Sequence, residues 1–275
     1  MNPSSIIVLL TDFGSSSWYI GVMKGVILSI APQARIVDLC HNVSSQDVRE
    51  GSFILGNSYR YFPVGSVFVC VIDPGVGGER KNLIIETDKH YFVGPDNGIF
   101  TPVFEDNRSL HVHQVTSDEY TLAGKGSTFL GRDLFAPVAA HISLGVDPSS
   151  IGPGLSTITT MPRSEPVIKD GLEIRGRIAY IDSFGNIITD ISREALDSVF
   201  ADSTGARLKV VIGGRTVEGI KEYYGQEVSG RLMAVINSWG YLELAVNMGS
   251  AWEYLGLREK RSVSIVVTRR GNGNP

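Results

Sequence analysis

Two aspartates stand where short apolar runs give out. Asp12 lies in Leu10-Thr11-Asp12-Phe13-Gly14, after the run 6–10, and Asp73 lies in Val71-Ile72-Asp73-Pro74-Gly75-Val76-Gly77, after the run 66–72. If both runs are strands of one open α/β sheet, both carboxylates face the crevice at the carboxyl ends of the strands, where such sheets bind ligands. A carboxylate in that position can accept hydrogen bonds from a ribose diol or act as a base. Arg80 follows Asp73 across a glycine-rich stretch and is placed to pair with it. One strand-end Asp can simply cap a loop, but two on one edge argue for a site.

Other chemistries find little support. Gly75-Val76-Gly77-Gly78 lacks the full G-x-G-x-x-G and leads into Leu83-Ile84-Ile85, a strand rather than a helix start. There is no Walker motif, no H-E-x-x-H and no nucleophile elbow. Of five histidines, His111 and His113 alone have a spacing that shares a strand face, which is too little for a metal site.

The elements that must position these residues alternate through the first half. Residues 6–10 read as a buried parallel strand. Ser15–Ser17 can cap a helix in which Tyr19, Val22, Met23, Val26, Ile27 and Ile30 repeat with helical period, ended by Pro32. A strand at 35–40, a helix from 47 to about 61, a strand at 66–72 and a helix at 134–144 complete a mostly parallel open sheet flanked by helices. Residues 149–166 are rich in Ser, Thr, Pro and Gly, which sets the expected organisation: an α/β domain over 1–150, a linker over 151–166 and a second domain over 167–275. In the second domain the helical pattern disappears. Short β-type runs at 175–182, 187–191, 207–212, 232–236, 241–246 and 263–268 predict a small all-β barrel.

Composition narrows the class. The 275 residues are 43% hydrophobic and 20% charged, ordinary for a folded globular chain. A formal net charge of −4 leaves no electrostatic footprint for nucleic acid or membrane, and the basic stretches at 258–261 and 269–270 read as solvated faces. Cys40 and Cys70 sit in apolar runs and read as reduced core thiols of a cytoplasmic protein. The first apolar run is too short for a signal core or a membrane span. The 31 glycines suggest many tight loops packed close to something. Residue chemistry alone reaches a two-domain enzyme with a carboxylate-lined crevice.

Six blocks in order go further: Leu10-Thr11-Asp12-Phe13-Gly14, Val71-Ile72-Asp73-Pro74-Gly75-Val76-Gly77, Gly94-Pro95-Asp96-Asn97-Gly98, Ser127-Thr128-Phe129-Leu130-Gly131-Arg132-Asp133, Tyr180-Ile181-Asp182-Ser183-Phe184-Gly185-Asn186 and Ile236-Asn237-Ser238-Trp239-Gly240-Tyr241-Leu242. Together they resemble the S-adenosyl-L-methionine (SAM) hydroxide adenosyltransferases, relatives of the fluorinase and chlorinase. The resemblance implies an N-terminal α/β domain, a C-terminal β-barrel, and a homotrimer with active sites between subunits. It implies that water attacks C5′ of SAM, giving adenosine and methionine, with SAM as substrate and no cofactor or metal. On this resemblance Asp12 binds the ribose hydroxyls, and Phe129 and Gly131 line the cleft near the ribose. Asp182 and Ser238 hold the amino and carboxylate groups of methionine. Asn186, the backbone at Asn247-Met248 and the ring of Tyr224, next to Tyr223, meet the adenine. Asp73 and Arg80 orient and activate the water.

Two positions depart from the family pattern. Hydroxide-type members usually carry His where this chain has Leu130, and small or basic residues are more usual where Trp239 follows Ser238. Leu130 keeps open a non-catalytic SAM- or adenosine-binding protein. A SAM-dependent halide transferase is the remaining alternative, opposed by the fixed negative charge of Asp73.

Overall fold

Strand β1 (Ile6–Thr11) is enclosed from Ile7 onward because its side chains alternate between two apolar layers. Ile7 and Leu9 face one, Val8 and Leu10 the other, and all four are inaccessible to solvent. A strand buried on both faces needs a continuous apolar run, and that is what residues 6–10 supply. The computed structural model describes residues 3–122, 128–162, 165–200, 208–259 and 264–269. Ser127, Arg207, Lys260, Arg261, Val263 and Arg270, which fall in segments singled out above, lie outside the described residues. The chain divides into two units, residues 1–161 and 162–275.

In the first unit β1 is followed by α1 (Trp18–Ile30), β2 (Arg35–Cys40), α2 (Val48–Ser58), β3 (Val67–Val71), β4 (Asn82–Thr87), β5 (Tyr91–Pro95), α3 (Thr101–Asp106), β6 (Leu110–Gln114), α4 (Ala136–Ser143), α5 (Pro148–Ile151) and β7 (Gly154–Leu155). The Ser17 hydroxyl accepts from the Tyr19 amide and caps α1, and Asp47 accepts from Glu50 to cap α2. The sheet order is β2-β1-β3-β5-β4-β6-β7. Strands β2, β1, β3 and β5 run parallel, whereas β4, β6 and β7 join antiparallel. The sheet is therefore mixed rather than mostly parallel. The reason is local: β4 and β5 are joined by so short a connection, with the Thr87 amide bonded to the His90 carbonyl, that only a hairpin is possible. One face packs on α1 and α4, the other on α2 and α3. Ile151 ends α5 and β7 pairs with β6, so residues 151–155 belong to this unit rather than to a connecting segment.

The second unit holds β8 (Val167–Lys169), β9 (Glu173–Ile181), β10 (Ile187–Ser192), α6 (Arg193–Phe200), β11 (Leu208–Ile212), β12 (Arg215–Glu218), β13 (Leu232–Ile236), β14 (Tyr241–Val246), α7 (Ala251–Leu255) and β15 (Ser264–Arg269). Its strands pair antiparallel in the order β12-β11-β15-β9-β10-β14-β13, with β8 on β9. The Lys221 amide, just past β12, bonds to the Ala234 carbonyl in β13 and nearly closes the sheet into a barrel. Two helices accompany this barrel, against the expectation that helical pattern ends here. Helix α6 inserts Leu196 and Phe200, one turn apart, and the Ser192 hydroxyl accepts from Ala195 at its start. Two apolar contacts in eight residues are too few to register as a repeat.

Cys70 is buried in β3 and burial pushes its thiol pKa up; Cys40, at the end of β2, is half-buried, and both thiols are free. Among the described residues no helix is long and apolar enough to cross a membrane.

Candidate active site

The carboxyl edge of the first sheet gathers the N-terminal candidates. Thr11 of β1 pairs in register with Val71 of β3, so Asp12 and Asp73 leave neighbouring parallel strands on the same edge. Asp12 accepts the Gln46 amide on Oδ2 at 2.8 Å. Its loop is fixed by Gly14 N–H to the His41 carbonyl (2.7 Å) and Ser15 N–H to Asn42 Oδ1 (2.9 Å). Beneath it, Thr11 Oγ1 lies 2.9 Å from His41 Nδ1, His41 Nε2 lies 3.0 Å from Asp38 Oδ1, and Asp38 Oδ2 meets Lys24 Nζ at 2.6 Å. That chain, which the sequence pattern does not signal, braces the end of β1.

Asp73 and Arg80 form a two-pronged ion pair. Arg80 Nε donates to Asp73 Oδ1 at 2.7 Å and its Nη2 donates to Oδ2. Both side chains are largely withdrawn from water, at 5% and 12% exposure, while residues 74–79 arch over them exposed. The remaining guanidinium nitrogen is spent on the Lys81 carbonyl (3.1 Å) and Asn82 Oδ1, and the group lies 5.7 Å from the Phe135 ring centroid. A planar fork held at all three nitrogens is a fixed positive group beside a fixed carboxylate.

Phe129 joins the Asp12 side of this edge. Its ring centroid lies 6.0 Å from Phe13 and 4.8 Å from Tyr19, and Trp18 stacks on Tyr19 at 4.4 Å. Gly131 opens a π-helical turn, Gly131–Phe135, of the kind often found at functional sites. A methyl group there would stand 3.1 Å from both Met23 Sδ and the Phe129 ring, so glycine lets the turn approach α1. Leu130 is half-buried and packs against the apolar layer of α1 and α4.

The second unit carries a separate polar cluster. Asp182 ties its hairpin into a knot: Oδ1 accepts the amides of Phe184 and Asn186, both at 2.9 Å, and Oδ2 accepts Asn186 Nδ2 at 3.0 Å. Gly185 in that hairpin has φ +80°, and a Cβ would lie 2.1 Å from Ser250 Oγ, so both backbone and space demand glycine. Ser238 is exposed on the β13–β14 turn beside Trp239, also exposed. Asn247 donates from Nδ2 to the Glu227 carbonyl at 2.6 Å, and Met248 projects into solvent at φ +58°. Of the two neighbouring tyrosines, Tyr223 is the more exposed, while Tyr224 donates its hydroxyl to Glu243 Oε1 at 2.7 Å.

Glu243 was not singled out from the sequence. It is buried, and burial pushes its carboxyl pKa up, with the charge of Asp182 adding in the same direction. Burial and the bond to Glu243 likewise raise the Tyr224 phenol. The signal available was a carboxylate in the middle of an otherwise apolar strand, Tyr241–Val246. The structure thus brings Asp73 to Arg80, Phe129 to Phe13 next to Asp12, Asp182 to Asn186, and Tyr224 to Glu243. Asn247 and Met248 sit on their own loop.

Residues 7–152 match the SAM hydroxide adenosyltransferase N-terminal domain and residues 176–264 the C-terminal domain. The chain is 34% identical over 267 residues to the (R)-S-adenosyl-L-methionine hydrolase of Thermus thermophilus, covering 94% of this chain and 99% of that protein. It is also 34% identical over 271 residues to the protein of the same name from Methanocaldococcus jannaschii, covering 95% of each. A fluorinase of Nocardia brasiliensis is 25% identical over 291 residues, covering 95% of this chain and 97% of that protein. The crystal structure of an uncharacterized conserved protein from Thermotoga maritima superposes with a TM-score of 0.87 at 33% identity, covering 96% of this chain and 100% of that one. With both domains matched in order, and one-third identity kept over nearly the full length of two relatives, the chain belongs to the SAM hydroxide adenosyltransferase family.

Proposed function

We propose that this protein hydrolyses SAM to adenosine and L-methionine by attack of water at C5′ of the ribose. What carries the reading is the buried Asp73–Arg80 pair at the sheet edge that also ends in Asp12. SAM brings its own leaving group. As the water oxygen bonds to C5′, the C5′–S bond breaks, its electron pair returns to sulfur, and the sulfonium becomes a neutral thioether. No acid is needed on that side. The water must lose a proton, and Asp73 orients it and takes that proton on its way to solvent, while Arg80 fixes the carboxylate. A hydroxide-like nucleophile meeting a sulfonium annihilates charge, which a water-poor pocket favours.

In this scheme Asp12 accepts the ribose hydroxyls, and Phe129 and Gly131 line the ribose cleft. Asp182 and Ser238 take the methionine ammonium and carboxylate. Asn186, Tyr224 and the backbone at Asn247 and Met248 hold the adenine. The two sets of contacts meet between subunits of a homotrimer, in the reducing cytoplasm suited to two free thiols. The sulfonium is a stereocentre, and a site gripping both ribose and amino acid fixes where its methyl group points. Because relatives at 34% identity are named for the (R) form, the (R) epimer is the proposed substrate.

Leu130 favours a second reading, a SAM or adenosine binder without turnover, since it packs into the apolar layer and offers no proton relay. Halide transfer is disfavoured by the negative charge of Asp73. Incubation with each SAM epimer, with and without chloride, followed by product separation, tests the three. Adenosine and methionine from the (R) epimer, independent of chloride, is the expected result. Bound but intact SAM would support the binder, and a chlorinated nucleoside the transferase.

A further inference from the structure

Glu243 is 3% exposed, yet among the described residues neither donor that meets its oxygens is a cation. Tyr224 donates to Oε1 at 2.7 Å and Asn237 Nδ2 to Oε2 at 3.2 Å, both neutral. Burying a carboxylate on such terms does little for the fold, and an apolar side chain of similar volume is often as stable or more so. The two donors lead to different places. Tyr224 leaves its ring at the surface, 44% exposed, with the hydroxyl end anchored. Asn237 uses its Oδ1 to accept the amides of Trp239 and Tyr241, both at 3.1 Å, and so shapes the turn that carries Ser238.

We infer that Glu243 is a positioning residue that holds the Tyr224 ring in register with the Ser238 turn, setting the spacing between adenine-side and amino-acid-side contacts. This rests on the proposed reading of Tyr224 and Ser238 as SAM contacts. Glutamine can stand in for Glu243, because its carbonyl can accept from Asn237 while its amide donates to the Tyr224 oxygen, a hydroxyl able to play either role. Leucine can serve neither arm.

The test compares the unaltered chain with Glu243→Leu, Glu243→Gln and Tyr224→Phe. Each is titrated with adenosine, then with methionine once saturated with adenosine, and its melting temperature is recorded. Loss of a neutral hydrogen bond corresponds to roughly fivefold in affinity. Glu243→Leu is expected to weaken both ligands by about that factor or more at temperatures well below its melting transition. Glu243→Gln restores both affinities, and Tyr224→Phe weakens adenosine alone. Unchanged affinities in Glu243→Leu, or losses that track a fall in melting temperature and are not rescued by glutamine, overturn the positioning role. If Glu243→Leu does not fold, Tyr224→Phe decides, and unchanged adenosine binding there overturns the role. An unaltered chain that binds no adenosine overturns the SAM reading, and this role with it.

Discussion

Arg80 reaches back across residues 74–79 to clasp both oxygens of Asp73, and neither side chain is left facing open water. The clasp fixes the carboxylate beside the proposed water position. Asp73→Asn should lower kcat by about a hundredfold or more, and it should also cost stability on the order of 3–5 kcal/mol by leaving Arg80 without its counter-charge. Steady-state kinetics and denaturant melts on the same preparation check both.

Leu130 is the position expected to limit the rate. An imidazole placed there can relay the water's proton, a contribution of roughly a hundredfold or more in well-positioned cases. Leu130→His should raise kcat with little change in SAM affinity, because the contact is made in the transition state. The unaltered chain should be slow near neutrality and quicker in alkali, where hydroxide is more abundant. A lower melting temperature with no gain in adenosine release would instead identify Leu130 as packing alone.

Asp12→Ala removes a charged acceptor from the ribose. A charge-assisted bond contributes ~1.5–3 kcal/mol, so adenosine affinity should fall roughly tenfold or more. Calorimetry reads this directly, and an unchanged dissociation constant takes Asp12 out of the site.

Assembly is tested by complementation. Mixing Asp12→Ala chains with Asp182→Ala chains should recover part of the activity, because some interfaces of hybrid trimers join two unaltered halves. Light scattering that finds a fully active monomer would end the shared-site proposal.

His90, far from the proposed chemistry, should dominate part of the acid sensitivity of the fold. It is 2% exposed among aromatic rings, and burial, with a smaller push from Lys89, lowers its pKa from 6.5 to about 4. The unfolded chain thus binds a proton at higher pH than the folded one. Stability is complete above about pH 6.5 and is lost as pH falls toward 4, by up to roughly 3 kcal/mol. In His90→Phe this part of the pH dependence should vanish from thermal melts.

Strands β1 and β3 were legible because strands buried on both faces must be apolar throughout, and Asp12 and Asp73 mark where those runs meet solvent; β5 was not singled out. Of the antiparallel additions, β4 was read as a strand from Leu83-Ile84-Ile85, whereas β6 and β7 are short and only partly buried and were not. In the second unit short β-type runs located β9, β10, β11, β13, β14 and β15 but not the short β8 and β12, while α6 buries too few residues to announce itself. Asp73 and Arg80 could be paired from their spacing. Glu243 could not be paired, because its partners come from two different places, Asn237 from its own hairpin and Tyr224 from the connection before β13.

Attack of water at C5′ is read out by running the reaction in heavy-oxygen water and examining the adenosine by mass spectrometry. The heavy atom is expected in the 5′-hydroxyl of adenosine and none in methionine. Adenosine released without the label, or SAM recovered intact after binding, would contradict that attack.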